Sequence, residues 1–206
     1  MKKVRFFSFL SLLTAFSLRA FAQLPEPGSI LVGASIGTIN FSADKNSNVR
    51  TVTISGTPQV GFLLTRGLLI GLGVPVFHTE ANTKGFTAVT AEFRTTQIGI
   101  APFARYYVTP TRLRPYLTAS AGQNWFRYKS TGTLPGLNEE LNSDYFAYNA
   151  GVGLAYFFNR NVSFDVTGVY NGGDNPTFAV PGATLGSFTT PEAKTISVQF
   201  GLQIFL

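Results

Sequence analysis

The chain has no cysteine, a single histidine and a single methionine in 206 residues, and charged side chains make up only 13% of it. Without cysteine there are no disulfides, thiolate metal or iron–sulfur sites, cysteine nucleophiles or N-terminal lipid-modified cysteine. One histidine excludes any site built on two imidazoles. The charged share is roughly half that of an ordinary soluble domain, so a conventional hydrated surface is hard to assemble. Long apolar runs are missing too. After the first 22 residues no stretch reaches the ~18 apolar residues of a transmembrane helix. In their place are 21 glycines, 20 phenylalanines and a hydrophobic share of 45%.

The first 22 residues read as a secretory signal peptide. Lys2, Lys3 and Arg5 form a basic start, an apolar run extends from Phe6 to Leu18, and Ala20-Phe21-Ala22 is an A-x-A cleavage pattern. Cleavage would leave Gln23 to Leu206 as one domain. It would also remove Lys2, Lys3, Arg5 and Arg19 from the 16 basic residues and none of the 10 acids, leaving 12 against 10. The apparent basicity therefore belongs mostly to the leader, and no Lys/Arg cluster remains to bind nucleic acid. Arg112 and Arg114 read as turn chemistry.

The remainder alternates with period two, the signature of half-buried strands. Ile196, Val198, Phe200, Leu202, Ile204 and Leu206 point one way, while Thr195, Ser197, Gln199, Gly201 and Gln203 point the other way with Phe205. Similar patterns at 29–41, 51–64, 68–78, 95–108, 115–127, 145–158 and 162–170 bring the count to eight strands. Short connections at 65–67, 109–114 and 159–161 alternate with long ones at about 42–50, 79–94, 128–144 and 171–193. Three short turns, four long loops and both ends on the short-turn side give an all-β, eight-stranded antiparallel up-and-down transmembrane β-barrel. The second face is mostly Gly, Ser, Thr, Gln and Asn, which suits a narrow, filled lumen better than a greasy ligand cavity. Aromatics near strand ends suggest two interfacial girdles: Tyr106, Tyr107, Tyr156, Phe157 and Phe158 beside short turns, and Trp125, Tyr145 and Tyr170 toward long loops. Pro58, Pro75 and Pro102 lie inside proposed strands, where proline cannot donate to a ladder, so each is expected to mark a bulge or bend.

Pro102-Phe103-Ala104-Arg105-Tyr106-Tyr107, a proline-containing turn and Arg114-Pro115-Tyr116-Leu117 together resemble a pattern common in bacterial outer-membrane barrel domains. With the loop plan and the last strand, the chain is similar to small outer-membrane β-barrel proteins of the OmpA-barrel, OmpX and OmpW-like kind. The last strand resembles the sorting signal read by the barrel-insertion machinery, with Leu206 where Phe is usual. The resemblance implies fold and compartment. It does not imply an activity, because the scaffold carries adhesins, enzymes, channels and structural proteins.

Arg105 and Asp165 are the charges expected to point inward within strands, near the same end of the lumen. A buried charge is costly unless paired, so they are expected to form a polar network with Gln97, Gln199 and Gln203. It would act as a structural plug or, alternatively, as a gate. His78, beside Thr79 and Glu80, lacks the serine and acid that a lipid-modifying triad would need. Asn171-Gly172-Gly173-Asp174-Asn175-Pro176 reads as a loop start with too few carboxylates for calcium. Glu139, Glu140 and Asp144 are expected as a solvated acidic patch in the third long loop. Phe178, Val180, Leu185 and Phe188 put apolar side chains in the fourth. The sequence thus points to a monomer in outer-membrane lipid, with no cofactor, metal or catalytic site. Its role would be structural, adhesive or partner-binding, carried by the loops. The alternative is a narrow channel for small or hydrophobic solutes, since glycines on the inner faces of strands 1, 3 and 6 leave space.

Overall fold

The computed structural model describes residues 25–44, 49–84, 90–133, 138–174, 177–179, 187–189 and 194–206. The proposed leader and its cleavage site lie outside these residues, as do Val180 and Leu185. The strands are β1 (Ile30–Asp44), β2 (Val49–Leu63), β3 (Leu68–Gly73), β4 (Val76–Lys84), β5 (Thr90–Tyr107), β6 (Leu113–Gly132), β7 (Glu139–Phe157), β8 (Val162–Gly173), β9 (Thr177–Ala179), β10 (Ser187–Thr189) and β11 (Thr195–Phe205). β3 and β4 lie end to end between β2 and β5 and act as one stave. The eight staves pair antiparallel in chain order, and β11 closes the ring on β1. At the seam the Ile30 and Leu206 backbones exchange hydrogen bonds of 3.0 and 2.8 Å. Closure pairs every stave on both sides at the level of Leu31–Ile36, the condition for crossing lipid with strands.

The short turns are built by local side-chain capping. The Asn159 side-chain carbonyl accepts from the amides of Asn161 and Val162, both at 2.8 Å. The Thr65 hydroxyl accepts from Leu68 at 3.1 Å. Both residue types favour turns because their oxygens can replace a backbone acceptor.

The prolines behave differently from expectation. None shifts a register. Pro75 interrupts its stave for two residues: Val74 donates to the Pro58 carbonyl and Gly99 to that of Pro75, both at 2.9 Å. Pairing then resumes with the same partners in step. At Pro102 the β5–β6 pairing skips and resumes in the same register, and Pro58 stays opposite Ala34. The bulge lies in β1 instead, between Ile36 and Thr38, where Gly37 lets the outward set change from even to odd positions.

Four staves also continue past the expected loop boundaries, to Asp44, Lys84, Gly132 and Gly173, and β5 and β7 begin early, at Thr90 and Glu139. The third long connection is therefore much shorter than 128–144. β9 and β10 form a small hairpin within the fourth, with Phe178 opposite Phe188.

The molecule is inside out relative to a water-soluble domain. Among the described residues, 33 large hydrophobics are exposed and ten hydrophobics are buried. A continuous outer apolar surface of that extent needs an apolar solvent. Tyr106, Tyr156 and Phe158 face outward at the short-turn rim, and Trp125 and Tyr170 toward the long loops. Tyr107 and Phe157 are not part of the girdle: both are buried in the lumen. Tyr145 lines the interior as well.

Candidate functional site

The inner face divides the lumen into a closed lower half, at the short-turn end, and an open upper half. Leu31, Leu63, Leu69, Phe103, Tyr107, Tyr116, Phe157 and Phe205 form one buried cluster below. The Tyr107 ring packs against Tyr116 at 5.6 Å and Phe157 at 6.0 Å, and Phe157 against Phe205 at 5.6 Å. Glycine on the neighbouring strand makes room for these rings. Tyr116 lies flat over Gly153, where a Cβ would come within 2.6 Å of the tyrosine oxygen. The space beside Gly33, Gly71 and Gly153 is taken up by Gln203, Phe103 and Tyr116, whereas Gly37 lines open space higher in the lumen.

Arg105 and Asp165 sit on top of this floor. Arg105 Nη1 donates to Asp165 Oδ2 at 2.6 Å, with the two side chains 6% and 1% exposed. Their strands, β5 and β8, are separated by β6 and β7, so the pair spans the lumen. Ser163 donates to the second Asp165 oxygen at 3.2 Å. The Arg105 guanidinium lies 4.4 Å from the centre of the Tyr116 ring and 3.4 Å from the Tyr107 oxygen. Tyr116 shares a hydrogen bond with Thr167.

The expected network is split in two. Gln203 is fully buried, pairs with Ser163 in register and lies beside Gly33 and Gly201 at the level of Asp165. Gln199 stands higher, beside the open half. Gln97 belongs to a separate upper cluster, where its Nε2 donates to Asn124 Oδ1 at 3.2 Å. Arg114 is more than turn chemistry. Its Nε does donate to the Thr111 carbonyl in the turn, at 3.0 Å, but the side chain is 1% exposed and its guanidinium sits 4.0 Å from the centre of Phe157. It is a third inward charge, held by ring faces in place of a carboxylate. Alternation extended one residue before 115 puts Arg114 on the inner face with Tyr116. Tyr107, Tyr116 and Thr167 are also absent from the sequence-derived set, although all three sit on inner positions.

Above the pair is a small polar cavity of about 80 Å³, and above that a cup of about 520 Å³ between the upper parts of the staves. Gln97, Asn124, Asn149, Asn171, Ser197 and Gln199 line the cup, together with Phe77, Phe126 and Tyr145. Asn171 Nδ2 donates to Ser197 Oγ at 3.1 Å.

On the outer face above Trp125, charges appear in paired form. Arg94 meets Glu92 at 2.8 Å and Glu80 at 3.8 Å, and Arg127 meets Glu140 at 3.3 Å. Gln123 donates to Asp144 at 2.9 Å. Glu139, Glu140 and Asp144 are strand residues of β7, not a loop patch. His78 shares a 3.0 Å hydrogen bond with Thr96, while Glu80 turns to Arg94. Asn171 to Gly173 continue β8 and do not open the loop.

A family model described as an outer membrane protein beta-barrel domain matches residues 8–203. No curated protein matches the chain. Among solved structures, a major outer membrane protein from Thermus thermophilus is 10% identical, with 87% of this chain and 99% of that chain covered and a TM-score of 0.51. Outer membrane protein W of Escherichia coli is 14% identical over 88% of this chain and 99% of its own, with a TM-score of 0.48. The N-terminal β-barrel domain of Pseudomonas aeruginosa OprF is 15% identical over 87% and 98%, with a TM-score of 0.42. These likenesses concern the fold.

Proposed function

We propose that this chain, which belongs to the outer membrane protein beta-barrel domain family, is a non-conducting barrel that presents its long-loop end for adhesion, envelope integrity or partner binding. One observation carries the reading. The ion pair between Arg105 and Asp165 crosses the lumen directly above an aromatic and aliphatic floor. Bulk solute has no route past a desolvated pair backed by packed rings. What remains for function is the opposite end, with its cup, the outward charged rim and the β9–β10 hairpin. The chain enters the outer membrane as Gln23–Leu206 after cleavage near Ala22. The insertion machinery recognises β11, and the barrel works as a monomer because it closes its own ring.

Two measurements test this. Proteoliposomes carrying the refolded 23–206 chain are expected not to swell in small sugars, and wild-type swelling would overturn the closed lumen in favour of a narrow channel. Cells displaying the barrel are expected to lose attachment to their target surface when residues 175–193 are replaced by a Gly/Ser linker, with surface level and folding unchanged. Attachment equal to wild type would remove that loop from the function.

A further inference from the structure

The upper half of the lumen is a blind cup, and we propose that it binds a neutral saccharide unit. The inference rests on the closed lumen described above. The cup measures about 520 Å³, within the range of about 300–1,000 Å³ usual for small-molecule sites.

The chemistry of its walls selects the ligand. Among the described residues no lysine or arginine lines it, and the one carboxylate is Asp174, exposed at the rim. The nearest inward cation below, Arg105, is already engaged by Asp165. An anionic ligand would be desolvated there without a partner, which is unfavourable. A cation would find one carboxylate at the edge.

The wall also mixes rings with amides and hydroxyls. Ring and amide positions alternate around the wall: Gln97 is the register partner of both Phe77 and Phe126, and Asn124 that of Tyr145, while Asn171 and Ser197 come from β8 and β11. A purely greasy ligand would strip water from the amides without replacing it. A pyranose meets both demands. Its C–H face packs on aromatic rings, and its hydroxyls both donate and accept, as amides do. Gln97 and Asn124 use one hydrogen bond on each other at 3.2 Å, and Asn171 donates to Ser197. Their remaining amide atoms supply acceptors and donors at fixed positions.

The test uses the refolded 23–206 barrel in a zwitterionic detergent, because alkyl glucosides and maltosides carry the competing headgroup. Glucose, galactose, N-acetylglucosamine and maltose are titrated calorimetrically, with glucuronate and glucosamine as charged counterparts. Saturable binding of at least one neutral saccharide is expected, with its charged counterpart bound at least about tenfold more weakly. Binding of maltose without glucose would identify a glycan end as the ligand, and binding of glucose would identify a free sugar.

Ser197→Trp, which thrusts an indole into the cup, abolishes binding. Asn149→Leu weakens it about tenfold, the worth of one lost hydrogen bond. A heat-dependent gel shift confirms that each variant is folded, and either variant alone suffices. Absence of binding across the neutral panel would overturn the proposal. So would glucuronate bound as tightly as glucose, or unchanged binding in a folded variant. Swelling of proteoliposomes from the same preparation would indicate failure of the closed lumen, whereas non-swelling barrels that bind no saccharide would indicate failure of the cup alone.

Discussion

Arg105 and Asp165 are sixty residues apart in the chain and 2.6 Å apart in the lumen. Removing one partner leaves the other charged and buried. Asp165→Asn is therefore expected to destabilise the barrel by about 3–5 kcal/mol, read as a lower urea midpoint for unfolding from lipid vesicles. Replacing both partners, as Asp165→Leu with Arg105→Met, should avoid most of that loss, since an apolar pair of similar size is often neutral at such a site. An Asp165→Asn barrel as stable as wild type would contradict a desolvated pair. Gly153 makes a second residue-scale case. Gly153→Val drives a branched side chain into the Tyr116 ring and should cost about 1–3 kcal/mol, whereas Gly168→Val, whose Cβ meets only the Val152 carbonyl at 3.9 Å, should cost less. Equal urea midpoints would argue against the flat tyrosine. Alternation within strands placed Arg105 and Asp165 inward from sequence alone, because parity is enough to assign a face. It did not yield Arg114, where the inferred strand began two residues too late, or the role of Tyr107, whose aromatic character suggested the lipid interface.

The strand cores were legible because one face meets lipid and the other a polar lumen, so hydrophobicity changes sign at every residue. That contrast disappears higher up. Residues 90–97, 126–132 and 139–144 are strand with polar and charged side chains on the outer face as well, because the staves rise beyond the apolar belt, and a period-two pattern has nothing to alternate between. Those segments therefore read as loops, and the acidic trio of β7 with them. The prolines misled for a related reason. A closed ring pins each stave from both sides, so the two-residue interruption at Val74 and Pro75 leaves the register unchanged. The belt itself can be mapped by arginine. Ala150→Arg, outward and midway along β7 between Asp144 and Tyr156, should cost roughly 2–4 kcal/mol, while Thr96→Arg, level with the paired charges, should cost at most about 1 kcal/mol. Equal costs, measured as urea midpoints in vesicles, would put the membrane boundary elsewhere.

For the whole molecule, the count of eight staves, the short-turn end and the closing role of the last strand followed from composition and spacing. The division of the lumen did not. A floor built from Leu31, Leu63, Leu69, Phe103, Phe157 and Phe205 draws one or two residues from each of several strands, and in each strand they look like exceptions to a polar face. Only the ring brings them together. That floor and the ion pair above it turn a barrel that could conduct into a cup facing the long loops. The most direct test is the current through planar bilayers holding the refolded 23–206 barrel. The closed lumen predicts a flat baseline for the wild type under applied voltage, with openings appearing only when Arg105 and Phe103 are both cut back to alanine. Stable openings in the wild type would contradict it.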